Sequence, residues 1–199
     1  MFDIQSIFSP DGVLSRHIAG FRMRTQQWEM AQAIADTIAK HQVLVAEAGT
    51  GTGKTLAYLV PALLAGGKVI ISTGTKTLQD QLFKRDIPNV RAALKVPVTI
   101  ALLKGRANYI CHYHLERSLQ DMYLSFINRD EIQYLQQIER YANTSKNGDK
   151  SELSEVPENA AIWQHVTSTR DSCLGSECPS YKKCFVMEAR KQALSADVV

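Results

Sequence analysis

No run in this 199-residue chain approaches the roughly eighteen apolar residues of a membrane-spanning helix. The start, Met1-Phe2-Asp3-Ile4, lacks the basic opening and apolar centre of a secretory signal. There is no internal repeat, which excludes solenoids and propellers. Cysteine is scarce, with four in all. These absences lead to the expectation of a soluble cytoplasmic protein with no membrane partner, in which cysteines serve metal or redox chemistry before disulfides. A composition of 45% apolar and 22% charged residues supplies a core for one large domain or two small ones.

The net charge of +3 excludes little until it is divided along the chain. Residues 61–110 carry eight basic side chains against two acidic, whereas 1–60 are balanced and 111–170 are acidic. A basic excess there suits a phosphate-backbone partner, and equally a solvated basic face.

The chain is organised around Val43-Leu44-Val45-Ala46-Glu47-Ala48-Gly49-Thr50-Gly51-Thr52-Gly53-Lys54-Thr55. The β-branched run at 43–46 predicts a buried strand, and Leu56 to Leu64 an apolar helix. Between them a Gly-rich turn can curl its amides inward around anionic oxygens, with a helix N-terminus behind. Lys54 is placed to reach the β- and γ-phosphates, and the Thr55 hydroxyl to ligate Mg²⁺. Ala48 stands where the strict phosphate-loop pattern has glycine. Ala48, Gly49, Thr50, Gly51, Thr52, Gly53, Lys54 and Thr55 are therefore the expected nucleoside triphosphate site, with Lys54 and Thr55 as its catalytic residues.

Pro10-Asp11-Gly12 marks a turn, and apolar spacing predicts an amphipathic helix over 25–40. After Gly66-Gly67, Lys68 to Thr73 reads as a second strand, and a hydroxyl-rich strand end, Thr73-Gly74-Thr75-Lys76-Thr77, leads into a new helix. Thr73, Thr75 and Gln79 sit where hydroxyls grip phosphates without reading bases; a helix cap at Thr75 or Thr77 is compatible with that. Pro88 is expected to close this helical region, and 96–103 to form a third strand. Strands alternating with helices after a phosphate loop imply a parallel sheet, the opening half of a RecA-like motor domain. From Lys104 the alternation stops. Residues 115–142, with Leu115, Leu119, Met122, Tyr123, Phe126, Ile127, Leu135, Ile138 and Tyr141 in a loose repeat, read as helical. Asn143 to Pro157 read as a mobile loop, 160–166 as a short helix, and 195–199 as the start of another strand.

All four cysteines fall in this second stretch, as Cys111 and then Cys173-x4-Cys178-x5-Cys184. Gly175 and Pro179 permit tight turns between them, and Arg170, Lys182 and Lys183 can offset thiolate charge. Four thiolates suit a 4Fe–4S cluster or a tetrahedral Zn²⁺, with His112, His114 and His165 as substitute ligands. Spacings of four and five are wider than the usual zinc knuckle, and unligated thiols remain an alternative.

The order of these features resembles the DinG/XPD-type iron–sulfur DNA helicases of superfamily two, and within them the YoaA branch. The residues that carry the likeness are Arg24-x2-Gln27-x2-Met30, the loop 47–55, the segment 71–82, Leu103-Lys104-Gly105-Arg106-Ala107-Asn108-Tyr109-Ile110-Cys111, and the run 173–184. The resemblance implies an α/β fold: a partial RecA-like motor domain with a mainly helical, four-cysteine iron–sulfur domain inserted after the third strand. It implies residues 1–104 as the first part of the motor domain, 105–194 as the insertion, and 195–199 as the returning strand. It implies that Gln27 contacts adenine, that Thr73 to Gln79 touch DNA, and that Cys111, Cys173, Cys178 and Cys184 hold a 4Fe–4S cluster beside ATP and Mg²⁺. It further implies 5′→3′ movement on single-stranded or forked DNA, in repair or replication and with partners from that machinery. Family members continue to an Asp-Glu-Ala-His box and a second motor domain, so these 199 residues alone are expected to bind nucleotide weakly and turn over little. Two other readings compete: a DNA- or partner-binding module without motor activity, and a kinase or transporter ATPase with a zinc insertion. The glutamine motif and the threonine-rich segment count against the last.

Overall fold

The computed structural model describes residues 3–121 and 129–199. The chain divides into two compact units, Met1–Ala101 with Ala196–Val199, and Leu102–Ser195.

The first unit opens with two short helices that periodicity did not reveal, α1 (Ile4–Phe8) and α2 (Val13–His17). Asp3 caps α1 by accepting from the Ser6 amide at 3.1 Å. The amphipathic helix α3 (Thr25–Ala39) buries Gln27 and Ala31. Helix α4 (Lys54–Ala65) is apolar on more than one side, and Ala57, Leu59, Val60 and Leu63 are all buried. It packs against both α3 and α6 (Ile87–Leu94). Helix α5 (Lys76–Gln81) starts at a cap in which Thr75 Oγ1 accepts from the Leu78 amide at 3.3 Å. It continues through a π-helical turn, Leu82–Asp86, directly into α6 (Ile87–Leu94). Pro88 therefore does not close the helical region. It lies in the first turn of α6, where a missing N–H is tolerated.

The expected strands are corrected more strongly. Among the described residues only isolated bridges form, with Val198 lying parallel to Val69 on one side and Ile100 on the other. The Val69 amide donates to Asp197 O at 2.8 Å, and the Ala101 amide to Val198 O at 2.9 Å. Asp197 fixes the register, because one carboxylate oxygen accepts from both the amide and the hydroxyl of Thr99 at 2.7 Å. Residues 43–46, expected as a buried strand, carry no strand assignment, and Val43 and Val45 stand 92% and 94% exposed. Segments 69–71, 99–101 and 197–199 bond to one another, and among the described residues none of their backbone hydrogen bonds goes to 43–46.

The second unit is helical: α7 (His112–Asp121), α8 (Arg129–Thr144), α9 (Trp163–Val166) and α10 (Phe185–Ser195), with 3₁₀ turns at Arg106–Asn108, Lys150–Glu152, Gly175–Glu177 and Tyr181–Lys183. Met122, Tyr123, Phe126 and Ile127 of the expected stripe lie outside the described residues. Leu135 and Ile138 of that stripe are fully buried with Ile110 and Val166.

Residues 143–157, expected as a mobile loop, are pinned instead. Gly148 and Asp149 are buried, Tyr109 bridges Asp149, and the Ile110 amide donates to Gly148 O at 2.9 Å. Gly148 has φ +63°, and a Cβ there would sit 2.1 Å from the Phe185 ring, so only glycine fits. The Tyr141 hydroxyl lies 3.0 Å from Asp149 O, and burial together with the Glu152 charge pushes this phenol up to about 12. Polar composition misled here because the polar groups bond to one another.

The centre of that pinning is an ion pair, Lys104 Nζ to Asp149 Oδ2 at 2.7 Å, with side chains 2% and 7% exposed. Burial opposes the Asp149 charge, but Lys104 and the Ser151 amide and hydroxyl outweigh it and hold the carboxyl below its usual range. Breaking a buried pair strands a charge, at a cost of about 3–5 kcal/mol. Asp149→Asn is therefore expected to lower the thermal midpoint of the second unit sharply. A carboxyl with a depressed folded-state pKa contributes its stability above the ordinary carboxylate range and loses it as pH falls through the folded value. Melts of the wild-type chain between neutral and acid pH are expected to be level near neutrality and to drop below about pH 4. An Asp149→Asn chain that melts with wild-type acid dependence would show that the pair does not hold this unit.

Candidate functional site

In the first unit the turn at 48–53 is held by side chains on its carbonyl side. Lys54 Nζ donates to Ala48 O and Gly49 O, both at 2.7 Å. Gln27 Nε2 donates to Gly53 O at 2.9 Å, the Arg24 guanidinium donates to Gly51 O, and Thr52 Oγ1 donates to Gly49 O at 3.0 Å. The carbonyls are thus turned onto donors. Among the described residues, no amide from 50 to 55 donates to a backbone carbonyl of another segment. Those amides, with the first turn of the twelve-residue α4, form the concavity that anionic oxygens fill.

Gly53 caps α4 with φ +83°, and a Cβ there would lie 2.1 Å from Gln27 Nε2. Gly53→Ala is expected to strain the cap and break the glutamine bond at once, costing about 1–3 kcal/mol and losing Mg·ATP binding. Calorimetric melts and nucleotide titrations of the variant check both halves.

Gln27 itself is 3% exposed, and its Oε1 is buried without a hydrogen-bond partner. Thr55 lies at the start of α4, and its side chain hydrogen-bonds with the Tyr58 hydroxyl. The structure therefore brings Gln27, Ala48, Gly49, Thr52, Gly53 and Lys54 into one hydrogen-bonded cluster, with Thr50 and Gly51 at its exposed turn. Arg24 and Tyr58, with no site role in the sequence analysis, belong to the same neighbourhood. Arg24 had a signal in its spacing of three from Gln27, whereas Tyr58 looked like one more apolar-face residue of the helix.

Thr73, Thr75 and Gln79 follow one another along the entry to α5. Thr73 Oγ1 donates to Thr75 O at 3.3 Å, Thr75 caps the helix, and Thr75 is exposed.

In the second unit all four cysteines are free thiols and line one cavity of about 120 Å³. Three of them are placed by local devices. The Cys111 amide donates to Val166 O at 2.8 Å, and its sulfur accepts from the first-turn amides of α7 at Tyr113 and His114. Cys178 and Cys184 end the two 3₁₀ turns, and Cys184 immediately precedes α10. Phe185 beside it packs on the His112 ring at 4.6 Å and holds that end to the start of α7. Burial pushes the Cys111 thiol up, the helix amides oppose this, and Cys178 and Cys184 push it up further. Arg106 and Arg190 also line the cavity and supply positive charge. Among the described residues, no three of His, Cys, Asp or Glu converge closely enough to hold one metal ion.

Residues 26–111 match the model of the DEAD/DEAH box helicase family. The chain is 49% identical over 196 residues to the ATP-dependent DNA helicase YoaA of Haemophilus influenzae, covering 98% of the chain. It is 50% identical over 196 residues to YoaA of Escherichia coli, covering 96% of the chain. It is 36% identical over 206 residues to the ATP-dependent helicase DinG of Mycobacterium tuberculosis, covering 92% of the chain. In each case the match spans 30% of the relative's length. No helix among the described residues is long and apolar enough to cross a membrane.

Proposed function

We propose that this chain, which belongs to the DEAD/DEAH box helicase family, is the nucleotide-binding N-terminal portion of an ATP-dependent DNA helicase of the YoaA and DinG kind. The observation that carries this is the Lys54 ammonium seated between the Ala48 and Gly49 carbonyls, at the start of α4 and beside Gln27. That seat lies within reach of a phosphate held by the loop amides. Gln27, whose Oε1 is buried without a hydrogen-bond partner, is the residue we assign to the adenine base. Thr55 ligates Mg²⁺, and Thr73, Thr75 and Gln79 hold the DNA backbone. Movement is 5′→3′, in cytoplasmic DNA repair and replication.

Cys111, Cys173, Cys178 and Cys184 hold a 4Fe–4S cluster in an insertion over residues 105–194, within the second unit, that follows the third strand segment of a RecA-like motor domain. All four cysteines line one cavity, which supports a single shared metal site, and the likeness to the iron–sulfur helicases favours a cluster over zinc there. When bound it supplies cross-links among the four cysteines and one-electron redox chemistry. This chain's own part is to hold Cys111 and Cys184 at the starts of α7 and α10, where helix amides favour negative charge on sulfur.

Titration with Mg·ATP tests the reading. The chain alone is expected to show saturable, magnesium-dependent binding with little hydrolysis, because catalysis of this kind needs groups from both motor domains. Absence of binding would overturn the nucleotide site, and rapid DNA-dependent hydrolysis would overturn the inactivity of the isolated chain.

A further inference from the structure

The four cysteines differ in how their backbone is held. The Cys111 amide donates to Val166 O at 2.8 Å, and its carbonyl accepts from the Leu115 amide at 2.9 Å. The Cys178 amide donates to Gly175 O at 3.3 Å, and its carbonyl accepts from Tyr181 at 3.0 Å. The Cys184 amide donates to Tyr181 O at 3.1 Å, and its carbonyl accepts from Glu188 at 3.0 Å. Cys173 has neither bond among the described residues, and it alone of the four is exposed. The turn before it closes on itself: the Thr169 amide donates to Ser172 Oγ at 2.9 Å, and the Ser172 amide to Thr169 Oγ1 at 3.2 Å. Among the described residues, one hydrogen bond joins 169–173 to another element. In it His114 Nε2 donates to Ser172 O at 3.3 Å. His114 stands in the first turn of α7, three residues after the well-anchored Cys111. Its ring meets the neighbouring Tyr113 ring edge-on at 5.3 Å, which restricts how it can turn. His114, Ser172 and Cys173 all line the cavity that the other cysteines share.

We propose that His114 is a positioning residue that latches the Cys173 ligand onto α7, and that this corner of the metal site is the first to open. The proposal rests on the reading of the four cysteines as one iron–sulfur site. Groups that orient a ligand without touching the metal set how well it binds, and a ligand on a tethered turn loses less freedom on binding than one on a free turn. With the His114 bond cut, no hydrogen bond to another element fixes the backbone that presents the Cys173 sulfur. His114 acts through that carbonyl and not as a ligand, because its Nε2 is already turned to Ser172 O. A one-electron oxidant, ferricyanide in the test, takes one electron from the [4Fe–4S]2+ core. The bond between the Cys173 sulfur and its iron breaks, and that iron leaves as Fe2+. A [3Fe–4S]+ core stays on Cys111, Cys178 and Cys184, and the freed thiolate takes a proton from water.

The full chain, purified without oxygen, is treated with an equimolar amount of ferricyanide. A ferrous chelator follows iron release, and electron paramagnetic resonance follows the three-iron core, since the starting core is silent. The wild type is expected to release about one iron per chain as the three-iron signal grows. His114→Ala is expected to start with wild-type iron and sulfide and to convert about tenfold faster. His114→Gln, whose side-chain amide can donate to the same carbonyl, is expected to convert near the wild-type rate. His114→Ala converting at the wild-type rate would overturn the proposal, as would a failure of His114→Gln to restore that rate. A histidine that merely supports the fold, or that serves as a ligand, would lower starting iron or the melting temperature, and that result would overturn it too. A wild type with about four iron that gives no three-iron product would overturn the latch alone. A wild type without iron and sulfide would overturn the reading of the cysteines beneath it.

Discussion

Lys54→Ala is expected to weaken Mg·ATP binding by roughly a hundredfold, from the loss of charge-assisted hydrogen bonds worth about 1.5–3 kcal/mol each. The ammonium is seated at the turn, and both its bonds are to carbonyls of the turn itself. Its removal leaves the loop amides and the α4 terminus in place, so a residual affinity remains. Folding should be nearly unaffected. Arg24, Gln27 and Thr52 still hold the carbonyls of Gly51, Gly53 and Gly49. A calorimetric titration beside a thermal melt separates the two effects. A variant that binds normally would move the phosphate site away from this loop, and one that fails to fold would make Lys54 a structural lysine.

The second large effect concerns the cysteines. Cys111→Ser is expected to abolish metal incorporation and to lower the melting temperature of the second unit. Cys111 is tied into the second unit through Val166 O, and its neighbours Ile110 and Tyr109 bridge Thr167 and Asp149. A ligand anchored in the core transmits metal binding to folding, and structural metals contribute on the order of 10 kcal/mol in small domains. Cys173, exposed on its loop, is a different case, and Cys173→Ser should leave a weaker, oxygen-sensitive site. Metal content, near-ultraviolet circular dichroism and Mg·ATP titration of the two variants test this together. Nucleotide binding by the first unit should survive both. Equal stability of Cys111→Ser and wild type would show that the cavity does not hold the unit together.

The turn at 48–53 and the helix start at Lys54 were legible in the sequence because their geometry is local. Glycines, one lysine and a helix start within eight residues leave few other arrangements, and Gln27 needed only a fixed distance upstream. The cysteines were legible as a group because turn residues separate three of them. Other features depended on partners far away in the chain. The apolar run 43–46 has strand composition, yet a strand needs neighbours, and Val69, Ile100 and Val198 pair among themselves. Pro88 has the chemistry of a helix breaker, but the π turn before it lets the rod continue. Residues 143–157 have loop composition, but Asp149 meets Lys104 from forty-five positions away, a pairing that no local window contains. The Gln81–Asp86 hydrogen bond across the π turn was invisible for a narrower reason: a spacing of five has no place in α periodicity.

The most direct test of the proposed iron–sulfur site is elemental analysis with a visible spectrum, on the chain purified without oxygen. The account predicts about four iron and four sulfide per chain and a brown protein, with all four cysteines on one cluster. One zinc per chain and no colour would contradict it.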